Sequence, residues 1–510
     1  MARWLIPSSW EWVAAGDIAE IIGGGTPPSK NPANFATDGI PWLTPADLSG
    51  YEKVYIERGA RSLSSSGFAA CGARMMPKGT VLYTSRAPIG YCVIAANEIC
   101  TNQGFKSFAL FSDTSPEYVR YYLLASKEYA ESLASGSTFL ELSGKRLSEL
   151  AVPLAPAAEQ RRIADKITVL DTHARAARKH LDAIPPLLEK FRASILTAAF
   201  SGRLTADWRE EQKRKGIKIE SAETLLQRMR QERRQRWEQE QLARMQARKR
   251  PPKDDSWKNK YKEPEPIDTS KLPKLPDGWC WASIDTFAFV TKLAGFEYTK
   301  YVKYSADGDL AVIKAENAGK HGFRRTDFSF VKSDSVKMLE RSKLIAGDLL
   351  MVFVGAGVGQ VGRVPDDQPY FLGPNIGMIR VMSDFVHSGY CEYFLRSPVG
   401  FKLSMSFTKA VAQPSLSMGA IRQIPTAIPP LAEQIEIEKR IHNMMSLTDK
   451  IETSRDCGNA ELFKLNEAIL AKAFRGELVP QDPNDEPATE LLKRIAEEKA
   501  NRQATGIEKR

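Results

Sequence analysis

The chain is written twice, and no other feature limits its fold as tightly. Leu154-Ala155-Pro156-Ala157-Ala158-Glu159-Gln160, followed by Ile163 and Ile167, returns as Ile428-Pro429-Pro430-Leu431-Ala432-Glu433-Gln434, followed by Ile437 and Ile441. Residues 195–202 and 469–476 share the form Ile-Leu-x-x-Ala-Phe-x-Gly. Glu159 and Glu433 stand 274 positions apart, and so do Phe200 and Phe474. Two separated motifs held at one ungapped offset imply a duplication.

Between these anchors the spacing predicts long helices. Ile163, Ile167, Leu170, Ala174, Ala177, Leu181, Ile184, Leu188, Phe191 and Ile195 recur at steps of three and four, which is a heptad-like seam. Shifting by 274 gives the weaker copy Ile437, Ile441, Met444, Thr448, Ile451, Arg455, Gly458, Leu462, Leu465 and Ile469. Pro156 and Pro430 suit a first helical turn, and Gly202 and Gly476 suit C-caps. Pro185-Pro186 should kink or split the first helix, and Gly458 marks the same level of the second. Both helices are therefore expected to bend there.

A globular segment precedes each helix, and these segments also match. Residues 7–12 (PSSWEW) correspond to 276–281 (PDGWCW), 40–44 to 310–314, and 78–83 to 346–351. Tyr118, Tyr121, Tyr122 and Leu123 parallel Tyr390, Tyr393, Phe394 and Leu395. The runs 81–84, 91–95, 349–354 and 378–381 read as short strands and the Tyr-rich runs as helices. Little else is shared, so a common scaffold carries two different surfaces. The expected class is α/β in the α+β sense, with this order along the chain: a globular domain over 1–155, a long helix over 156–202, a basic helical segment and linker over 203–273, a second globular domain over 274–428, a second long helix over 429–476, and a partly helical tail over 477–510.

Charge adds a hint about partners. Residues 209–250 carry 14 Lys or Arg against 7 Asp or Glu, within a chain of net charge +10. Such a block is commonly a solvated helix or connector, and it also permits contact with an acidic partner such as DNA. The tail repeats its start: 488–494 (ATELLKR) resembles 222–228 (AETLLQR). Six scattered cysteines without a CxxC pair suit reduced thiols. No apolar run is long enough to span a bilayer and the N-terminus has no signal-peptide pattern, so no membrane partner and a cytoplasmic location are expected.

Motifs for intrinsic catalysis are missing. Gly357-Val358-Gly359-Gln360-Val361-Gly362 fits GxGxxG, but Arg363-Val364-Pro365 after it suits a strand and turn where a dinucleotide site needs a helix. No Pro-Pro pair follows Asn or Asp as an amino-methyltransferase requires, no phosphate loop is present, and the five histidines lack metal-ligand spacing.

The whole pattern resembles the specificity subunits of type I restriction-modification systems, in which two target-recognition domains are each followed by a helix with a Pro-Leu-Ala-Glu-Gln-like motif. Residues 428–434 match that motif closely, and 154–160 match it with Ala155 and Ala157 substituted. The first domain also resembles family members in 23–27 (GGGTP), 40–45 (IPWLTP), 84–90 (TSRAPIG) and 101–106 (TNQGFK). The second departs, with Val354-Gly355-Ala356-Gly357 where the first has Ser85-Arg86.

The resemblance implies a non-catalytic, sequence-specific DNA-binding subunit that reads a bipartite asymmetric site on double-stranded DNA. The two helices would pair as an antiparallel coiled coil, relate the two domains by a pseudo-two-fold axis, and act as a ruler of ~66 Å for ~44 residues. Two modification subunits would supply S-adenosylmethionine-dependent adenine methylation, and restriction subunits ATP- and Mg-dependent cleavage; this subunit itself would hold no cofactor and no metal. Groove chemistry then selects Thr26, Ser85, Arg86, Asn102, Gln103 and Lys106 in the first domain as DNA contacts, and Lys314, Glu316, Asn317, Arg363, Asn375, Lys409 and Gln413 in the second. Asn102 and Asn375, each two positions before a glycine, also fit turn-shaping roles. Glu159, Gln160, Glu433 and Gln434, with the outer helix faces, are the expected contacts for the modification subunits, with helix capping as the alternative. Two other readings remain: a DNA-binding adaptor of a related non-cleaving phage-defence system, and a coiled-coil scaffold whose domains bind proteins.

Overall fold

A computed structural model describes residues 5–504, apart from 87, 136–139, 219, 250–251, 253 and 409–413. Its compact units do not follow chain order. One unit comprises Met1–Asp182 with Arg455–Arg510, and the other Ala183–Ser454. Each unit holds one globular domain, the first part of one long helix and the last part of the other.

In the first unit, strand Glu11–Ala14 pairs antiparallel with Ala151–Leu154, joining the two ends of the globular domain. A five-stranded sheet runs in the order Ala19–Gly23, Lys106–Leu110, Val81–Tyr83, Cys92–Ala95, Tyr55–Ile56. A smaller sheet contains Phe35–Ala36, Ser62–Leu63, Ile40–Leu43 and Cys100–Thr101. Val81–Tyr83 and Cys92–Ala95 are buried throughout. They lie inside the sheet with both faces covered, which is why they read as continuous apolar runs and do not alternate. Helix Pro116–Ala125 starts where Ser115 Oγ accepts from the Tyr118 amide, and it packs on helix Ala157–Asp182.

The second unit repeats this plan. Cys280–Ser283 pairs with Pro425–Ile428. One sheet runs Ala288–Lys292, Ile376–Val381, Leu349–Val352, Val361–Arg363, and the other Ser329–Val331, Leu310–Ile313, Tyr370–Leu372, Lys343–Leu344. Helix Ser388–Arg396 takes the place of Pro116–Ala125. The architecture is α+β, and the strand and helix positions follow the periodicity of the sequence.

The long helices pair antiparallel within each unit. In the first, Leu181 lies beside Gly458, while Ile167 and Ile469 line one small cavity. In the second, Arg192 bonds Thr448 and Glu452, while the Leu204 carbonyl accepts from Arg440. The end of each helix is an aromatic plug. Phe474 meets Tyr118 and Tyr122 edge-on at 5.3 and 5.2 Å, and Phe200 meets Tyr390 and Phe394 at 5.4 and 5.2 Å. Gly202 and Gly476 follow with φ of +74° and +73°, the left-handed C-cap conformation that favours glycine.

Three expectations for these helices are corrected. The prolines split the first helix into Ala157–Asp182 and Ile184–Phe200, but the second runs unbroken from Leu431 to Ala473; Gly458 has ordinary helical neighbours and introduces no break. After the split Leu188 and Ile195 stay in the seam, but Phe191 is 45% exposed and Arg192 is buried in its place. Leu465 is likewise 50% exposed, and the neighbouring Asn466 turns inward toward Ile167 and Ile469. The basic segment is ordered: helix Ala222–Ala247 buries Leu225 and Met229 in the core of the second unit. Helix Ala488–Ala504 does the same in the first unit with Ala488, Leu491 and Ile495.

Candidate nucleic-acid interface

In the first domain, several strand ends and connections meet at one edge. The loop after Ala19–Gly23 is tied to Cys100–Thr101 by the Gly25 amide, which donates to the Thr101 carbonyl at 2.9 Å. The Asn102 amide donates to Leu43, the Ser85 amide to Gly104, and the Leu142 amide to Ser85, at 2.8–2.9 Å. Packing is so close that a Cβ on Gly24 would lie 2.0 Å from the Asn102 carbonyl and one on Gly25 2.4 Å from the Ala73 amide, so glycine is a backbone requirement at both positions.

On this edge Thr26 and Gln103 are exposed and hydrogen-bonded to each other through Thr26 Oγ1 and Gln103 Oε1. Lys106 lies over Gly23, 3.4 Å from where a Cβ would stand. Arg86 is half-buried, its guanidinium 3.3 Å from Glu141. Asn102 shapes the loop: its Oδ1 accepts from the Gly104 amide at 2.9 Å. Ser85 is a correction. It is fully buried with its hydroxyl donated to the Gly104 carbonyl at 3.2 Å, so no surface remains to meet DNA.

The second domain builds the same edge with other residues. Leu310–Ile313 leads into Lys314, and the Gly373 amide donates to the Ile313 carbonyl at 2.8 Å, as Asn102 does to Leu43. Lys314 Nζ bonds Ser329 at 3.0 Å and lies 5.3 Å from the Tyr304 ring centre. Asn375 is exposed, with a φ of +64° that marks a turn. Glu316, two positions after Lys314, is exposed. The bridge Arg86–Glu141 has its counterpart in Val354–Ser415, so the arginine has no equivalent. A lysine is kept by changing strands: Lys106 faces Gly23 across the first sheet, and Lys292 faces Gly377 across the second.

Two second-domain candidates are corrected. Asn317 is 1% exposed, and its amide group is committed to the Lys314 amide, the Arg324 carbonyl and Thr326 Oγ1 at 2.8–3.1 Å. It closes a turn. Arg363 lies away from this edge, with Nε 3.3 Å from Glu392 and Nη1 3.6 Å from Glu438, so it braces the domain against the long helix. Lys409 and Gln413 lie outside the described residues. Exposed Lys292 and Phe296 were missed; the signal was a lysine and an aromatic at the places Gly23 and Pro27 occupy in the first copy.

The four candidates for partner contact are also corrected. Glu159, Gln160, Glu433 and Gln434 are at most 1% exposed. Glu159 accepts from Trp10 Nε1 at 2.9 Å and from Gln481. Burial raises its carboxyl pKa above the usual value, and these donors pull it partly back. Glu433 accepts from Trp279 Nε1 at 3.0 Å, Thr205 Oγ1 at 2.7 Å and the Arg209 guanidinium. Gln160 receives the Ser115 amide and donates to Ala155, while Gln434 receives the His387 amide and donates to Pro429 and Phe385, all at 2.8–2.9 Å. Each Glu-Gln pair fastens a helix start to its domain.

The glycine motif at 357–362 lies in a turn leading into strand Val361–Arg363, so no helix opens there to receive a pyrophosphate. Among the described residues, no cluster of His, Cys, Asp and Glu could hold a metal ion, and no helix is long and apolar enough to cross a membrane.

The type I restriction modification DNA specificity domain model matches residues 7–184. The chain is 40% identical over 191 residues to the type I restriction enzyme MjaIX specificity subunit of Methanocaldococcus jannaschii, covering 37% of this chain and 44% of that one. It is 25% identical over 387 residues to the EcoBI specificity subunit of Escherichia coli, covering 74% and 69%. The chain thus spans under half of the first relative and about seven tenths of the second. A solved chain from a study of complex assembly and conformational transition of the type I R-M system shares the fold, with a TM-score of 0.63, 17% identity, and coverage of 93% of this chain and all of that one. Matched domain, relatives and duplicated architecture point one way: residues 7–184 match the type I restriction modification DNA specificity domain, and the chain is similar over part of their length to type I restriction enzyme specificity subunits.

Proposed function

We propose that this chain reads a bipartite, asymmetric site on double-stranded DNA, one half with each domain, and positions two modification subunits for adenine-N6 methylation. The supporting observation is that two domains whose main sheets share one order over four strands bring corresponding loops together yet place different side chains on them: Thr26, Arg86, Gln103 and Lys106 on one, Lys292, Lys314, Glu316 and Asn375 on the other. Equal frames would address the duplex alike, and unlike side chains would select unlike half-sites.

The modification subunits need a surface other than the buried Glu-Gln pairs. In the second unit, Leu187 and Phe191 precede the seam residues Leu188 and Arg192 by one position, and Leu447 precedes Thr448 likewise, followed by Ile451. These four are 61%, 45%, 54% and 37% exposed. In an antiparallel helix pair, positions one residue before the seam fall on the same side of both helices. They form an apolar stripe suited to partner helices. S-adenosylmethionine would be held by the modification subunits, and ATP and Mg by restriction subunits; the site of action would be the cytoplasm, where DNA and reduced thiols coexist.

The test is selection from randomised duplexes by the complex purified with its modification subunit. Two unlike half-sites at a fixed gap are expected. Enrichment of a palindrome would contradict two different readers, and no enrichment would favour the protein-binding scaffold. Binding of a split site without methylation would favour the non-cleaving defence adaptor.

A further inference from the structure

Phe296 is 73% exposed on the first turn of helix Gly295–Tyr301. The helix holds it there firmly. Tyr298 and Tyr301 pack on the cluster around Leu293, Val312 and Phe371. Glu297 caps the Ala294 amide at 3.0 Å and pairs with Arg341 at 2.5 Å. Tyr298 and Tyr304 share a hydroxyl hydrogen bond of 2.8 Å. These anchors occupy the inward face, leaving Phe296 and Lys300, four positions apart, together on the outward face.

The internal repeat locates this residue. Lys292 pairs with Gly377 as Gly23 pairs with Lys106. Counted from those strand ends, Gly295 and Phe296 take the places of Thr26 and Pro27, beside the edge where Thr26 meets Gln103. The second edge also replaces Arg86 with Val354, and Lys292 lies 4.8 Å from the Phe353 ring centre. Polar readers on one domain thus become aromatic and lysine groups on the other.

We propose that Phe296 is a base-stacking wedge of the second domain: its ring enters a base step of one half-site while Lys292 and Lys300 meet the flanking phosphates. This rests on the DNA-reading function proposed above. An exposed aromatic with lysines beside it matches how proteins unstack a base step while holding the backbone, and pyrimidine–purine steps open most easily. The wedge would therefore select a flexible step by its deformability, without hydrogen bonds to base edges.

The test uses the full chain with its modification subunit and duplexes carrying the site identified by methylation mapping. Permanganate reactivity of thymines in each half-site is compared for wild type, Phe296→Ala and Phe296→Trp. The expected result is enhanced reactivity at one step of the second domain's half-site in wild type and Phe296→Trp. It should be lost in Phe296→Ala, with affinity about tenfold or more weaker. Wild-type binding without enhanced reactivity, or an alanine variant matching wild type in affinity and pattern, overturns the wedge while leaving DNA reading intact. A wild-type complex that binds and methylates no site overturns both.

Discussion

Glu159 and Glu433 occupy the same position in the repeat but face different partners, and their removal should have unequal effects. Glu433→Ala leaves the Arg209 guanidinium, whose side chain is 15% exposed, without its carboxylate. A loss of about 3–5 kcal/mol is expected for stranding a buried charge. Glu159→Ala strands only the neutral donors of Trp10 and Gln481, and about 1–3 kcal/mol is expected. Urea unfolding of both variants checks the order, and equal losses would contradict it. A second residue-level prediction concerns His387, whose ring is hydrogen-bonded to Glu438, which raises its pKa; burial and the nearby Arg363 oppose this. A raised folded-state pKa gives stability that is full below the ordinary histidine value of about 6.5 and is lost as pH rises through the raised value. The Tm gap between wild type and His387→Gln should therefore be widest near pH 6 and shrink toward pH 8.5. A gap independent of pH would contradict it. The sequence marked Glu159 and Glu433 as special but could not show which way they face. A Glu-Gln pair at a helix start looks the same whether it caps inward or greets a partner, and only the distant Trp10, Trp279 and Gln481 decide. Asn317 and Ser85 misled for the same reason: a polar side chain in a loop says nothing of its burial.

At the scale of the element, the heptad seam was legible on both sides of the proline break except at Phe191, where Arg192 takes the buried place. Pro185-Pro186 ends one helix and begins another, and the first full turn after the break is where the step of three and four slips. Leu188 is 6% exposed and Phe191 45%. Leu188→Ala should thus cost about 2–5 kcal/mol, while Phe191→Ala stays within about 0.5 kcal/mol in the free chain. In the assembled complex the order should reverse in one respect: Phe191→Ala, alone or with Leu447→Ala, should weaken capture of the modification subunit, as measured by co-purification or calorimetry. Unchanged capture would move the docking surface elsewhere. The short strands were legible because those inside a sheet, such as Leu349–Val352, are apolar on both faces. The helix Gly295–Tyr301 was not, since seven residues carry too little periodicity.

For the whole molecule, duplication gives more than two copies of a domain. Each domain core is completed by the end of the helix that follows the other domain: Phe474 plugs the first and Phe200 the second, and the segments beyond them add Leu491 and Leu225. Repeat order was visible in the sequence, but this exchange was not, because periodicity along a chain does not say which domain a helix end will enter. Helix length should then set the gap between half-sites. Inserting seven residues into both long helices, after Asp182 and at the facing level of the second, adds about 10 Å, equivalent to about 3 base pairs of duplex. The half-site sequences should stay unchanged while the gap lengthens.

The most direct test of the central claim is single-molecule sequencing of modified adenines in a methylation-free host that expresses this chain with its modification subunit. The account predicts one split motif, with two unlike halves at a fixed separation and a methylated adenine in each. A symmetric motif, or no modified adenine despite an assembled and S-adenosylmethionine-competent complex, would contradict it.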